Sequence, residues 1–283
     1  MLSASSCNVA VATVRSMRNQ LRVLLQSWKV SPYTRLRAAD HRNWAYDRLS
    51  KRIATLADHT ILAGPYKGMK YFGLNGVPVV DPLPTAKFLG SFEEELHPWI
   101  ERLIKSGFRR IVHVGAGEGY HVVGMAQRLP QAHSIVFDTL IAARKACRSL
   151  AEQNRVRERM QLRGFCGGDA FLDIELPGSL IFSDCGGAEL VLLDPQLHPS
   201  LAAATMLVET HDAFDARITP RLLSRFCRTH TVEFVAVLPR NPARFPLLRQ
   251  FPEATAQMAL DENRDVAADG KPQTWALFTP KLS

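Results

Sequence analysis

The stretch IVHVGAGEGYH, from Ile111 to His121, decides how the chain is read. Ile111, Val112 and Val114 are β-branched and make a short strand. Gly115, Gly117 and Gly119 then follow at alternate positions. Glycines directly after an apolar strand let the backbone turn tightly and approach a ligand, with the N–H groups of the next helix facing it.

The flanking sequence supplies the frame for that loop. Phe92 to Ser106 reads as a helix closed by Gly107, and Arg110 to Val114 as a strand. Helices follow at Tyr120–Leu129, Leu140–Asn154 and Pro220–Cys227, and a short one starts at Glu189 and runs to Asp194. Strands are expected at His133–Phe137, Met160–Gly164, Ser179–Ser183, Thr205–Glu209, Thr231–Leu238 and Thr274–Thr279. Such alternation predicts βαβ units, hence an α/β fold: a Rossmann-like, seven-stranded, mostly parallel sheet with helices on both faces. Ligands in such sheets bind beyond the carboxyl ends of the strands, near the switch point.

Before this domain, residues 1–90 read as a helical extension and a lid or linker, leaving 91–283 for the sheet. Val14, Met17, Leu21, Leu24, Leu25 and Trp28 recur at helical spacing, with arginines between them. Ser31 to Ala63 also reads as helical, with Trp44, Leu49, Ile53 and Leu56 as core positions. GPYKGMKYFG (Gly64 to Gly73) and NGVPVVDPLP (Asn75 to Pro84) are rich in turn formers. Tyr66, Lys67, Lys70 and Tyr71 are either part of a lid or a surface hairpin.

Composition narrows the partners. The 283 residues carry a net charge of +8, but from Met1 to Ala39 there are six basic residues and no acidic one. The excess thus belongs to the extension, and nucleic acid is not the expected partner. That extension could also be an organelle transit peptide or lie on a membrane surface. No apolar run reaches the roughly 20 residues of a membrane helix. The five cysteines are scattered and form no CxxC pair, which fits a reducing cytoplasm.

The glycine spacing discriminates between nucleotide-like ligands. A dinucleotide fingerprint reads G-x-G-x-x-G. Here the third glycine comes one position early, and Tyr120 takes the fingerprint's last place. Glu118 also sets a negative charge where a pyrophosphate would bind. Asp138, 19 residues after Gly119, can grip ribose hydroxyls. An acidic loop suits S-adenosylmethionine, which carries a sulfonium and an ammonium group, better than it suits NAD.

From about Phe92 onward the chain resembles the class I S-adenosylmethionine-dependent methyltransferases. VGAGEG (Val114 to Gly119) looks like their glycine loop, and Phe137-Asp138 like the ribose-binding acid. GGDAF (Gly167 to Phe171) resembles the adenine-side motif, and LIFSDCGGAELVLLDP (Leu180 to Pro195) the fourth-strand motif. The last motif, with LVETHD (Leu207 to Asp212), looks most like the FkbM-type branch, largely O-methyltransferases of sugar or natural-product hydroxyls. The resemblance implies S-adenosyl-L-methionine as cofactor and S-adenosyl-L-homocysteine as product. It places His113, Gly115, Ala116, Gly117, Glu118, Gly119, Asp138, Thr139, Asp169, Ala170 and Asp184 around the cofactor. Two positions depart from the pattern. His113 stands where an acid is usual, and Gly186 where a glutamate is usual.

Methyl transfer from a sulfonium needs an oriented acceptor and a group to take its proton. His211 is the first candidate base, with Asp184, Asp212 and Glu189 beside it in the catalytic set. The expected acceptor is a small molecule with a hydroxyl, acted on by a chain that could form a homo-oligomer. A degenerate cofactor-binding subunit and an RNA or protein methyltransferase are the alternatives. A metal site needs about three converging ligands. Asp184, Glu189, His211 and Asp212 are on offer, but nothing in the sequence brings three of them together, so no metal is assigned.

Overall fold

A computed structural model describes residues 40–71, 84–262 and 274–281, with 40–45 described in backbone only. The amphipathic helix expected around Val14 to Trp28, most of the turn-rich Asn75 to Pro84 segment and the Trp44 side chain lie outside the described residues.

The helices are α1 (Asp40–Leu56), α2 (Thr85–Leu89), α3 (His97–Ser106), α4 (Tyr120–Arg128), α5 (Ile141–Gln153), α6 (Glu189–Leu192), α7 (Ile218–Phe226) and α8 (Glu253–Met258). The strands are β1 (Arg110–Val114), β2 (His133–Phe137), β3 (Met160–Arg163), β4 (Leu180–Ser183), β5 (Thr205–Thr210), β6 (His230–Ala236) and β7 (Thr274–Pro280). Every expected strand is present, with ends shifted by no more than two residues.

The seven strands form one sheet in the order β3-β2-β1-β4-β5-β7-β6. β1 pairs in parallel with β2 on one side and β4 on the other, so the strand order reverses there. β7 is antiparallel to both β5 and β6. This is the Rossmann-like fold that the alternation predicts. The reversal opens a crevice above the carboxyl ends of β1 and β4.

β1 and β4 are buried along both faces, as parallel strands covered by helices must be. On one face, Ile111 of β1 and Phe182 of β4 pack with Val123 of α4, Leu150 of α5, Ile100 of α3 and Ile53 of α1. On the other, Val112, Ile181 and Val208 pack with Leu192, Leu222 and Phe226. The described part of the extension therefore shares the core of the sheet. Leu49 and Ile53 are buried as expected, but Leu56 is 43% exposed. It is the last residue of α1, where the chain turns away, and Ala57 takes the buried place.

Candidate functional site

β1 leads directly into the glycine loop. Gly115, at φ 85°, lies so close to the end of β4 that a Cβ would meet the Asp184 carbonyl oxygen at 1.6 Å. Only a residue without a side chain fits there. The backbone bond from Asp184 N–H to Val114 O, at 2.8 Å, draws these ends together, while Gly115 N–H bonds Phe137 O of β2 at 3.0 Å. Gly117 differs. Its φ is 51°, but nothing lies within 4 Å of where its Cβ would be.

Asp138, just past β2, closes onto the loop. Its Oδ2 accepts from Ala116 N–H at 3.1 Å and Gly117 N–H at 3.0 Å. Its Oδ1 accepts from Leu140 N–H at 2.8 Å at the start of α5. Burial pushes its carboxyl above the ordinary value, and these three amides work against that rise. The residue predicted to hold a ligand thus also builds the loop. Thr139 and Asp169 are exposed, and Ala170 is half-buried beside Asp169.

Glu118 faces elsewhere than expected. Its Oε1 accepts from Tyr71 O–H at 2.9 Å and pairs closely with the Lys87 ammonium. Lys87, on α2, is itself buried and stands over the rings of Phe92 and Tyr120, 4.4 and 5.6 Å from their centroids. The segment before the sheet therefore supplies the counter-charge of the glycine loop. Tyr66 and Tyr71 are both buried, whereas Lys67 and Lys70 are exposed. The two tyrosines thus pack on α4, and Tyr66 bonds the ring of His121 at 3.1 Å.

His113 lies within β1 and is 1% exposed, stacked on Phe182 at 5.7 Å. Burial, with the nearby His121 charge adding to it, pulls its pKa down to about 3. It is a neutral core residue facing the packed side of the sheet. Its Nε2 has no hydrogen-bond partner among the described residues.

Across the switch point, β4 and β5 end in a cluster of acids around one imidazole. His211 Nδ1 lies 2.7 Å from Glu189 Oε1 and 3.2 Å from the Glu209 carbonyl. Its Nε2 lies 3.4 Å from Asp184 Oδ1 and 3.5 Å from Glu209 Oε2. Burial pulls the His211 pKa down, but Glu189, Asp184 and Glu209 outweigh it and hold it well above the usual value. The ring is thus hydrogen-bonded through Nδ1, and its Nε2 faces the Asp184 and Glu209 carboxylates. The Asp184 side chain is 45% exposed, while those of His211 and Glu209 are each 6% exposed and that of Glu189 is fully buried. Asp184 is the member of the cluster that meets the crevice.

Asp212 stands apart from this group. It accepts from Thr219 N–H at 3.0 Å and from the Thr219 hydroxyl, which ties it to the first turn of α7. Glu189 opens α6 and accepts from the Cys185 thiol at 3.4 Å. Burial first, and then the Glu189 charge, push that thiol well above its ordinary pKa, so it remains a donor. Gly186, where the resemblance expects a glutamate, has φ 63° at the turn between β4 and α6. A left-handed residue at that point favours glycine.

Sequence reasoning missed Glu209 and Lys87. Glu209 is two residues from His211, and strand periodicity carried one residue past the end of β5 would put both on one side. Lys87, in PTAKFL, carried no signal.

No protein-family model matches the chain, and no curated protein matches it. Several solved structures are similar. The O-methyltransferase from Bacillus cereus in complex with SAH is 13% identical over 82% of this chain and 91% of that one, with a TM-score of 0.44. The O-methyltransferase TomG from Streptomyces achromogenes, involved in tomaymycin synthesis and in complex with SAM, is 10% identical over 83% and 99%, with a TM-score of 0.47. An rRNA methylase from Streptococcus thermophilus is 10% identical over 66% and 97%, with a TM-score of 0.44. The fold assignment rests on the strand order itself.

Proposed function

We propose that this chain is an S-adenosylmethionine-dependent methyltransferase of the FkbM-type branch, acting on a hydroxyl of a small molecule. The supporting observation is the chemistry of the glycine loop. Its Ala116 and Gly117 amides are taken by the Asp138 carboxylate. A pyrophosphate would need those donors free and would meet a negative charge instead. A sulfonium cofactor needs neither.

The side chains divide the work by exposure. A carboxylate has about four acceptor sites. Asp138 uses three on backbone amides, which leaves one for a ribose hydroxyl. Asp169 and Ala170 stand at the turn after β3, where the resemblance puts the adenine. Gly117 leaves open space for the cofactor to approach the loop. Asp184, half-exposed beside Gly115, is the group that meets the acceptor. His211 stands on its buried side, with Nε2 3.4 Å from Asp184 Oδ1, and the proton of the hydroxyl passes to the Asp184 carboxylate. The cofactor supplies an activated methyl group, and the protein aligns the acceptor oxygen with it.

The reading is tested by incubating the protein with methyl-labelled S-adenosylmethionine and a panel of hydroxylated and amine-bearing small molecules. Label appearing on an oxygen supports it. Label on nitrogen alone would contradict the hydroxyl assignment. Asp184→Asn should lower turnover by about 100-fold or more. Its cofactor affinity should stay within about threefold.

A further inference from the structure

We propose that Asp184, Glu209 and His211 form a binding site for one divalent transition-metal ion. Asp184 directly follows β4, Glu209 lies near the end of the neighbouring β5, and His211 directly follows β5. β4 and β5 pair in parallel with Ser183 opposite Val208, so Asp184 and Glu209 come side by side. One ligand atom from each of the three lies within 4.8 Å of the others.

The distances suit an ion better than a hydrogen-bonded cluster. Nε2 of His211 is 3.4 Å from Asp184 Oδ1 and 3.5 Å from Glu209 Oε2. Both exceed the 2.7–3.2 Å of ordinary N–H···O bonds. Two ligands bound at about 2.1 Å in a tetrahedral site stand about 3.4 Å apart. The ring is also held as a metal-binding histidine usually is. Its Nδ1 is 2.7 Å from Glu189 Oε1, which fixes its plane and turns Nε2 toward the two carboxylates.

A second observation is independent of those three residues. Glu189 is fully buried, and its other oxygen, Oε2, has no hydrogen-bond partner among the described residues. An unpaired buried carboxylate oxygen is costly, and a cation bound beside the cluster would offset part of that cost.

One imidazole and two carboxylates form a mixed donor set. It favours a first-row ion such as Mn²⁺, Co²⁺ or Zn²⁺ over Mg²⁺ or Ca²⁺, which prefer oxygen alone. Asp184 faces the crevice, so the ion would keep an open position there. The use of that position rests on the methyl-transfer reading: the acceptor hydroxyl would bind through the ion, which lowers its pKa. The existence of the site does not depend on that reading.

The test is direct binding of Mn²⁺ to chelator-treated full-length protein, followed by the loss of the free-ion electron spin resonance signal. Zn²⁺ and Co²⁺ are measured by dialysis and elemental analysis. One equivalent per chain is expected. Glu209→Gln and Asp184→Asn should weaken binding at least tenfold, and Asp215→Asn, whose carboxylate pairs with Arg217, should not. Asp184 is half-exposed, so its variant should fold even where a change at Glu209 does not. Absence of stoichiometric binding for all three ions overturns the proposal, as does unchanged affinity in Asp184→Asn. Cofactor binding, measured separately by calorimetry with chelator present, separates the two readings. Metal without cofactor leaves the site standing and removes the transferase. Cofactor without metal does the reverse.

Discussion

Replacing Gly115 and Gly117 by alanine, one at a time, should produce two different proteins. Both glycines have positive φ, 85° and 51°. An alanine at either costs roughly 1–2 kcal/mol for its backbone conformation. At Gly117 nothing more is lost, because no atom of the described residues lies within 4 Å of the new Cβ. At Gly115 the Cβ would sit 1.6 Å from Asp184 O and 2.7 Å from Asp184 C. Restoring normal contact requires the ends of β1 and β4 to separate by roughly 1.5–2 Å, which strains the core at a cost of about 1–3 kcal/mol. It also stretches the Asp184–Val114 backbone bond, worth about 1 kcal/mol net. The sum for Gly115→Ala is roughly 3–6 kcal/mol, a large part of the 5–15 kcal/mol that keeps a domain folded. Urea denaturation followed by circular dichroism measures both variants. If they differ by less than about 1 kcal/mol, the close approach of β1 and β4 is wrong.

Three further outcomes are expected. Asp138→Ala strips the acceptor from three loop amides, and should lower stability by about 1–3 kcal/mol as well as cofactor affinity; thermal melting and calorimetry check the two effects. His113 titrates near 3 when folded and near 6.5 when unfolded, so the unfolded chain binds the extra proton between those values and stability falls as pH drops below about 6.5. At pH 5 the loss relative to pH 8 should be about 2 kcal/mol, and denaturation at both pH values should show that part of the slope gone in His113→Phe. Lys87→Met leaves Glu118 buried without its cation and should cost roughly 3 kcal/mol, most of it recovered in the Lys87→Met, Glu118→Gln double variant; equal stabilities for the single and double variants would refute the pairing.

The fold was readable because its signals are local. The apolar strands, the helices between them and the glycine loop all follow from spacing along the chain. Asp138 was found as the acid after β2, but not its three amide bonds, which depend on how the loop folds back. The cluster at β4 and β5 was only half legible. Asp184, Glu189 and His211 do come together there, and Glu209 joins them from β5, whereas Asp212 turns to Thr219. Glu118 was assigned to the cofactor because its partner, Lys87, lies 31 residues away and is brought in by packing of the extension. Gly186 takes a left-handed conformation, which no pattern of neighbouring residues announces.

The central claim is that the loop from Gly115 to Gly119 holds a sulfonium nucleoside. Isothermal titration of the purified protein with S-adenosylmethionine, S-adenosylhomocysteine and NAD tests it most directly. The account predicts binding of the two adenosyl ligands in the micromolar range and no heat with NAD. NAD binding, or no binding of either adenosyl ligand, would contradict it.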